Sequence, residues 1–149
     1  MKIRLTLLAL ASASMLRAED VVVYRCVEGK KESVSVGDQL AVFTTGNKTL
    51  QTIYDDFLKT SWTAEPFYGP VIPYIFKDSR NKLFLVHFEF QEGHTILGKG
   101  LRFAIAPLKA VPKSKGLYSG SPYNGSSVSD ERLLKQLCEL TLKAEAVAK

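Results

Sequence analysis

The residues best suited to chemistry lie in two short apolar stretches of the chain. His87 and Glu89 alternate with aromatic and aliphatic residues in KLFLVHFEFQ, residues 82–91, and Arg102 lies in LRFAIAPL further on. On a strand rising about 3.3 Å per residue, His87 and Glu89 share a face with Cβ atoms about 6 to 7 Å apart, and Arg102 faces them from the next strand. A carboxylate base, an imidazole acid and a guanidinium suit RNA transesterification. A solvated sheet face with ordinary charge pairs is the alternative.

The remaining reactive residues form no set with the spacing of a known site. His94 lies in a glycine-flanked turn, and the two histidines and two cysteines lack metal-ligand spacing. Tyr118 and Tyr123 lie near lysines in KSKGLYSGSPYNG, residues 113–125. They would stack on the bases of a single-stranded partner, and an ordinary surface loop is the alternative. The sequence therefore predicts neither a cofactor nor a metal.

A sheet is needed to position these residues, and the apolar pattern predicts one. DVVVYRCVEG, residues 20–29, is rich in β-branched residues and is predicted as a strand. The stretch 33–45 continues as one or two short strands broken near Gly37 and Asp38. YIFK, KLFLVHFEFQ and LRFAIAPL, joined by short turns, indicate an antiparallel meander.

Two helices complete the prediction. Five apolar residues at the spacing of an amphipathic helix follow a cap at Asn47 or Thr49, namely Leu50, Ile53, Tyr54, Phe57 and Leu58. Residues 130–149 form a second helix with an apolar face that includes Leu137 and Cys138. The predicted fold is α+β, with the main helix on the apolar face of an antiparallel sheet, strands before it and a C-terminal helix.

The first 18 residues have the features of a secretory signal peptide, with a buried helix as the rival interpretation. Lys2 and Arg4 precede an apolar run and then small residues. Cleavage is expected after Ala18, or else after Ala13. The full chain carries 20 basic and 15 acidic residues; residues 1–18 hold three of the basic and none of the acidic ones. Residues 19–149 therefore carry a net charge of about +2, which does not by itself indicate a polyanion partner. Their length is that of one domain.

Two cysteines at opposite ends of this domain can pair in an oxidising compartment. A bridge between Cys26 and Cys138 closes nearly the whole domain and is worth roughly 4 to 5 kcal/mol in the chain-entropy model. Tyr24, two positions before Cys26, would cover it with its ring. Two unrelated buried thiols are the alternative. Asn47 and Asn124 lie in sequons that glycans would use.

Tyr24-Arg25-Cys26 just after the leader, the distant Cys138, the chain length and a helix followed by an antiparallel sheet together resemble the RNase-like secreted effectors of powdery mildew fungi. That family carries a Y/F/W-x-C motif near the mature N-terminus and is similar to the small guanyl-specific fungal ribonucleases. The resemblance covers essentially all of residues 19–149. It implies a microbial-ribonuclease-like fold.

The resemblance also implies a loss of catalysis. In IPYIF, Tyr74 stands where the ribonucleases carry a catalytic histidine, Glu89 resembles their glutamate, and Arg102 resembles their arginine. Their last histidine, the general acid, would fall near Tyr118 or Ser119, where this chain has none. A missing general acid removes a factor of about 10² to 10⁴ in rate. The vestigial site then comprises Tyr74, His87, Glu89 and Arg102.

Three functions remain open on this basis. The first is a non-catalytic virulence effector that enters plant cells and binds host proteins, or host RNA through Tyr74, His87, Arg102, Tyr118 and Tyr123. The second is an active ribonuclease with Glu89 as base and His87 as acid. The third is a secreted interaction module that binds no nucleic acid. In each case a secreted monomer without a membrane span is expected.

Overall fold

The fold is mostly β, which overturns the predicted α+β class. The computed structural model describes residues 18–60, 71–89, 102–120 and 126–127, and the separate positions 132, 135, 136 and 139. One eight-stranded antiparallel sheet dominates. Only one helix is described over a continuous stretch of chain; the other helical residues are described as separate positions. The predicted α+β fold with a C-terminal helix therefore does not describe this architecture. Arg132, Lys135, Gln136 and Glu139 are helical, and the rest of 130–149 lies outside the described residues.

The elements follow one another along the chain with the helix after the second strand. The strands are β1 (Asp20–Glu28), β2 (Ser33–Thr44), β3 (Val71–Lys77), β4 (Leu83–Glu89), β5 (Arg102–Pro107), β6 (Lys109–Ala110), β7 (Tyr118–Ser119) and β8 (Ser126–Ser127). The helix α1 spans Leu50–Thr60. The sheet order is β6-β7-β2-β1-β3-β4-β5-β8.

The two sides of the sheet are brought together by one continuous stretch of chain. β5 pairs with β4, and β6, which begins two residues after β5 ends, pairs with β7 beside β2. Between them, the Leu108 N–H donates to the Leu83 carbonyl at 2.9 Å. The sheet is therefore nearly closed and barrel-like. The sequence predicted the β3-β4-β5 meander but not this closure.

β1 and β2 form a long hairpin that bends at two bulges. Register shifts fall between Val23 and Tyr24 and between Tyr24 and Cys26 of β1, where β2 has additional residues at Leu40 and around Gly37. A Cβ on Gly37 would lie 3.0 Å from the Arg25 carbonyl oxygen, so a glycine allows this close approach. The predicted break in the strand is thus a bulge.

Helix α1 begins where the sequence places it. The Thr49 hydroxyl accepts from the Thr52 N–H at 3.2 Å, which identifies Thr49 rather than Asn47 as the N-cap. The Glu19 carboxylate accepts from the Leu50 N–H at the same end, where the helix dipole favours a negative charge. Leu50, Ile53 and Phe57 are buried against the sheet.

Apolar side chains form a separate cluster on each face of the sheet. The helix-facing cluster includes Val21, Val23, Phe43, Leu50, Ile53, Phe57, Tyr74, Phe76, Phe84, Val86, Phe88, Phe103 and Ile105. The inner cluster, on the opposite face, comprises Val34, Ile75 and Leu85 with the partly buried Tyr24, Cys26, Leu83, Leu108 and Tyr118. Along β3 and β4, adjacent buried residues serve opposite clusters, which is the strand period of two, whereas Phe103, Ala104 and Ile105 of β5 all belong to the helix-facing cluster.

Candidate functional site

Tyr74 lies on the opposite face of the sheet from His87, so the two do not form one site. Tyr74 pairs with Val86, and Pro73 pairs with His87. The Tyr74 ring is 4% exposed and stacks on Phe88, with ring centroids 5.5 Å apart and an interplanar angle of 13°. Burial raises the pKa of Tyr74, and the nearby Arg25 guanidinium opposes that rise. Tyr74 is therefore part of the core and does not offer its ring to a base.

His87 lies on the strand face opposite Phe88, which is the face that carries the buried Leu85 of the inner cluster. It pairs with Ala104 of β5 and is partly buried. The register of Phe88 with Phe103 makes positions 89 and 102 the next neighbours along the two strands. The backbones of Glu89 and Arg102 are thus close to each other. Their side chains lie outside the described residues, and so do His94 and Tyr123.

The Tyr-x-Cys motif points into the inner cluster. Tyr24 and Cys26 both pack there, and the Lys77 ammonium lies 5.5 Å from the centre of the Tyr24 ring. The Cys26 thiol is not bridged to any residue that the structure describes, and its pKa is raised to about 11, first by burial and then by the Glu28 carboxylate. Cys138 lies outside the described residues, so its bridge to Cys26 stays a prediction.

Tyr118 lies on a strand, whereas the sequence indicated a loop. It pairs with Val34 of β2 and with Ala110 of β6, and its side chain packs on the inner cluster. A strand of two residues is too short to show the alternation of apolar and polar residues that predicts a strand. For this reason the sequence indicated a loop at Tyr118. Packing leaves little of the Tyr118 ring available to stack on a nucleic-acid base.

A surface cavity that sequence analysis missed lies where the β1–β2 turn meets helix α1 and β5 to β7. Its volume is about 440 Å³. The lining residues are Lys31, Glu32, Tyr54, Ala106, Pro107, Lys109, Ser119 and Gly120. They come from three separate regions of the sequence, residues 31–32, residue 54 and residues 106–120, so no local motif could reveal them.

The turn at the rim of this cavity has an unusual backbone. Lys31 and Glu32 have φ values of 55° and 59°, and the Ser33 N–H donates to the Lys30 carbonyl at 3.3 Å, as in a type I′ turn. Such turns favour Asn-Gly because both central residues need positive φ. Each non-glycine residue in this region costs of order 1 to 3 kcal/mol.

β2 also presents an apolar surface that the sequence did not reveal. Val42 is 56% exposed, and Val36 and Leu40 are each 37% exposed. Beyond Val34, no other described strand pairs with the outer edge of β2. We refer to residues 36–44 of β2 as the β2 edge. Whether a strand lies at an edge depends on the tertiary arrangement, so this surface has no sequence signature.

Two classes of site find no support in the described part of the chain. No group of three or more His, Cys, Asp or Glu side chains is placed to hold a metal ion there. Likewise, none of the helices within the described ranges has the length and apolar character to cross a membrane.

Comparisons with known proteins do not identify the chain. No family model, curated protein or solved structure matches it. The resemblance to powdery mildew effectors therefore stays a prediction, and function has to be argued from the chain itself.

Proposed function

We propose that the chain is a secreted, non-catalytic effector of a plant-pathogenic fungus that binds a host protein through the β2 edge. The leader and the Tyr-x-Cys motif support secretion and the effector class. The observation that carries the binding role is an edge strand with exposed apolar side chains. Such an edge is a template for pairing with another chain.

The backbone geometry of the β2 edge favours strand addition. The Thr45 N–H donates to the Glu19 carbonyl at 2.9 Å, so residue 45 is a hydrogen-bonded partner of β1. Antiparallel ladders alternate, so Val42 and Thr44 direct their N–H and C=O groups away from β1. An extended segment can bond to these groups and cover the Val42 side chain.

Charge indicates what kind of segment fits. Asp38 is the only charged residue of β2. A second copy of β2 paired with the first would bring no cation to that carboxylate. A host segment with alternating apolar residues and a lysine or arginine near Asp38 complements both the apolar side chains of the β2 edge and the negative charge of Asp38. The occupant we propose is therefore a cationic extended segment of a host protein.

The separation of Tyr74 from His87 supports the non-catalytic proposal. Tyr74 is buried in the helix-facing cluster while His87 lies on the other face. The ribonuclease comparison needs position 74 at the scissile phosphate, together with Glu89 and Arg102. We therefore place Tyr74 in the core and give it no role in chemistry.

The test is co-purification from host plant tissue with matched variants. Val42→Lys should abolish capture of the host protein that wild type retains, because it inserts a charge into the apolar contact. Asp38→Lys should weaken capture at least tenfold, the scale of a charge-assisted contact. Leu58→Lys changes an exposed apolar residue of helix α1 and should leave capture unchanged. Equal capture by all four proteins, or self-association of wild type that Val42→Lys disrupts, would contradict the proposal.

Ribonuclease activity is the second candidate, favoured by the adjacency of positions 89 and 102 beside His87. Incubation of the mature protein with labelled RNA containing guanosines tests it. Cleavage that disappears in Glu89→Gln would establish this activity and refute the non-catalytic proposal. Intact RNA together with salt-sensitive gel retention would instead indicate RNA binding without chemistry.

A further inference from the structure

The surface cavity combines groups that bind phosphate with a surface that packs on an organic group. Lys31 and Lys109 supply ammonium donors, and Ser119 and Tyr54 supply hydroxyls. No ion pair joins either lysine to a carboxylate among the residues that the structure describes. The Tyr54 ring and Pro107 provide apolar surface in the same cavity.

The sheet holds two sides of the cavity in a defined arrangement. Ser119 of β7 pairs with Ser33 of β2 on one side and with Lys109 of β6 on the other. Ser33 in turn anchors the turn, since its hydroxyl donates to the Lys30 carbonyl at 2.6 Å and its carbonyl accepts from the Gly29 N–H at 2.7 Å. Ser33, Ser119 and Lys109 are therefore neighbours across three strands, with the turn at one end of this row and Lys109 at the other.

The strained turn suggests that the side chains at its tip are retained for a purpose. Lys31 and Glu32 both adopt positive φ and both line the cavity. Asn-Gly at these positions would relieve the backbone, but it would remove the ammonium and the carboxylate. Strain of this kind concentrates at ligand-binding sites, where surrounding bonds hold it in place.

We propose that this cavity is a binding site for a phosphate monoester whose organic part carries hydroxyl or amino groups. The two lysines bind the phosphate, with Ser119 donating a further hydrogen bond. The organic part packs on Tyr54 and Pro107. Glu32 accepts hydrogen bonds from its hydroxyl or amino groups, which inorganic phosphate lacks. This site is separate from the β2 edge, and the proposal does not depend on the proposed function.

The direct test is titration of the mature protein, followed by NMR, with adenosine 5′-monophosphate, glycerol 3-phosphate and inorganic phosphate. At least one ester should bind more tightly than inorganic phosphate at millimolar concentration. Lys31→Ala and Lys109→Ala should each weaken ester binding roughly tenfold, as expected for loss of a charge-assisted hydrogen bond. Lys113→Ala, on an exposed turn outside the cavity, should have no effect.

A second experiment separates binding from a purely structural role of the turn. The double change Lys31→Asn with Glu32→Gly should raise Tm because it removes the strain, and should weaken ester binding at least tenfold. Lys113 also has positive φ, at 61°, so Lys113→Asn should raise Tm without affecting binding. Failure of both esters to bind, equal affinity for inorganic phosphate, or binding that survives the Lys31 and Lys109 changes would overturn the proposal.

Discussion

At the scale of single residues, Glu19 has a structural importance that composition does not suggest. Its carboxylate accepts from the Leu50 N–H and from the Ser79 hydroxyl at 2.7 Å, and its backbone N–H donates to the Thr45 hydroxyl at 2.9 Å. One residue thus connects the start of β1, the start of helix α1 and the β3–β4 turn. Cleavage after the preferred Ala18 would keep Glu19 and all three contacts.

Glu19→Gln should lower the free energy of unfolding by about 1 to 2 kcal/mol, because it removes the charge at the helix N-terminus and weakens two hydrogen bonds. Urea unfolding followed by circular dichroism measures this. Asp55→Asn is the control. Asp55 is exposed, and its carboxylate accepts from the Gln51 amide at 3.0 Å and from no other side chain among the described residues, so a change within about 0.5 kcal/mol is expected. Equal losses in the two variants would contradict the role of Glu19.

The Cys26 thiol should react slowly in the Cys138→Ser variant, which cannot form the predicted bridge. With a pKa of about 11 instead of 9.0, the thiolate fraction at pH 8 falls about 100-fold. Ellman's reagent should therefore modify folded protein far more slowly than urea-unfolded protein. Because the folded pKa exceeds the unfolded one, this thiol's contribution to stability is complete below pH 9 and declines as the pH rises towards 11. Equal modification rates in both states would refute the burial of Cys26.

At the scale of elements, helix α1 is held by one apolar face against the sheet. The Phe57 ring lies 5.8 Å from the Phe103 ring, and the Tyr54 ring lies 6.0 Å from the Phe84 ring, centre to centre. On the outer side of the helix, Lys48 and Asp56 form an ion pair at 2.5 Å whose partners are both partly exposed. Packing, rather than that pair, supplies most of the helix's stability.

Neighbouring residues of α1 offer a matched comparison. Phe57→Ala should lower the free energy of unfolding by about 3 to 5 kcal/mol, since the ring is 8% exposed and its loss leaves a cavity. Leu58→Ala should change it by less than about 1 kcal/mol, since that side chain is 46% exposed. Chemical unfolding of both variants measures the two free energies of unfolding. Similar values for the two would mean that the helix packs differently.

At the scale of the whole molecule, two apolar clusters share one sheet and should unfold together. Ile75 and Phe76 are adjacent on β3, both are fully buried, and each belongs to a different cluster. A sheet that curls towards closure can bury both of its faces in this way. Alternation of polar and apolar residues is therefore incomplete along β3 and β4.

Ile75→Ala should lower the free energy of unfolding by about 2 to 5 kcal/mol through loss of inner-cluster packing. Because β3 is common to both clusters, the destabilisation should appear equally in the far-ultraviolet signal of the sheet and the near-ultraviolet signal of the aromatic rings. Two separated transitions would show that the clusters unfold independently.

The sequence by itself determined the local elements of this protein. The spacing of Leu50, Ile53 and Phe57 predicts helix α1, a cap at Asn47 or Thr49 marks its start, and the alternation around His87 predicts β4 with its apolar face. These signals are local, because helical and strand periods are visible within a few residues.

Only the tertiary structure decided how these elements meet. Tyr74 faces the helix because of its register with Val86, which no residue of β3 encodes alone. Likewise, the closure through residues 102–110, the exposure of the β2 edge and the cavity beside Lys31 depend on pairings between distant strands. Strand pairing depends on contacts between residues that are distant in the sequence, and local patterns do not reveal these contacts. The fold class predicted from the sequence was wrong for this reason.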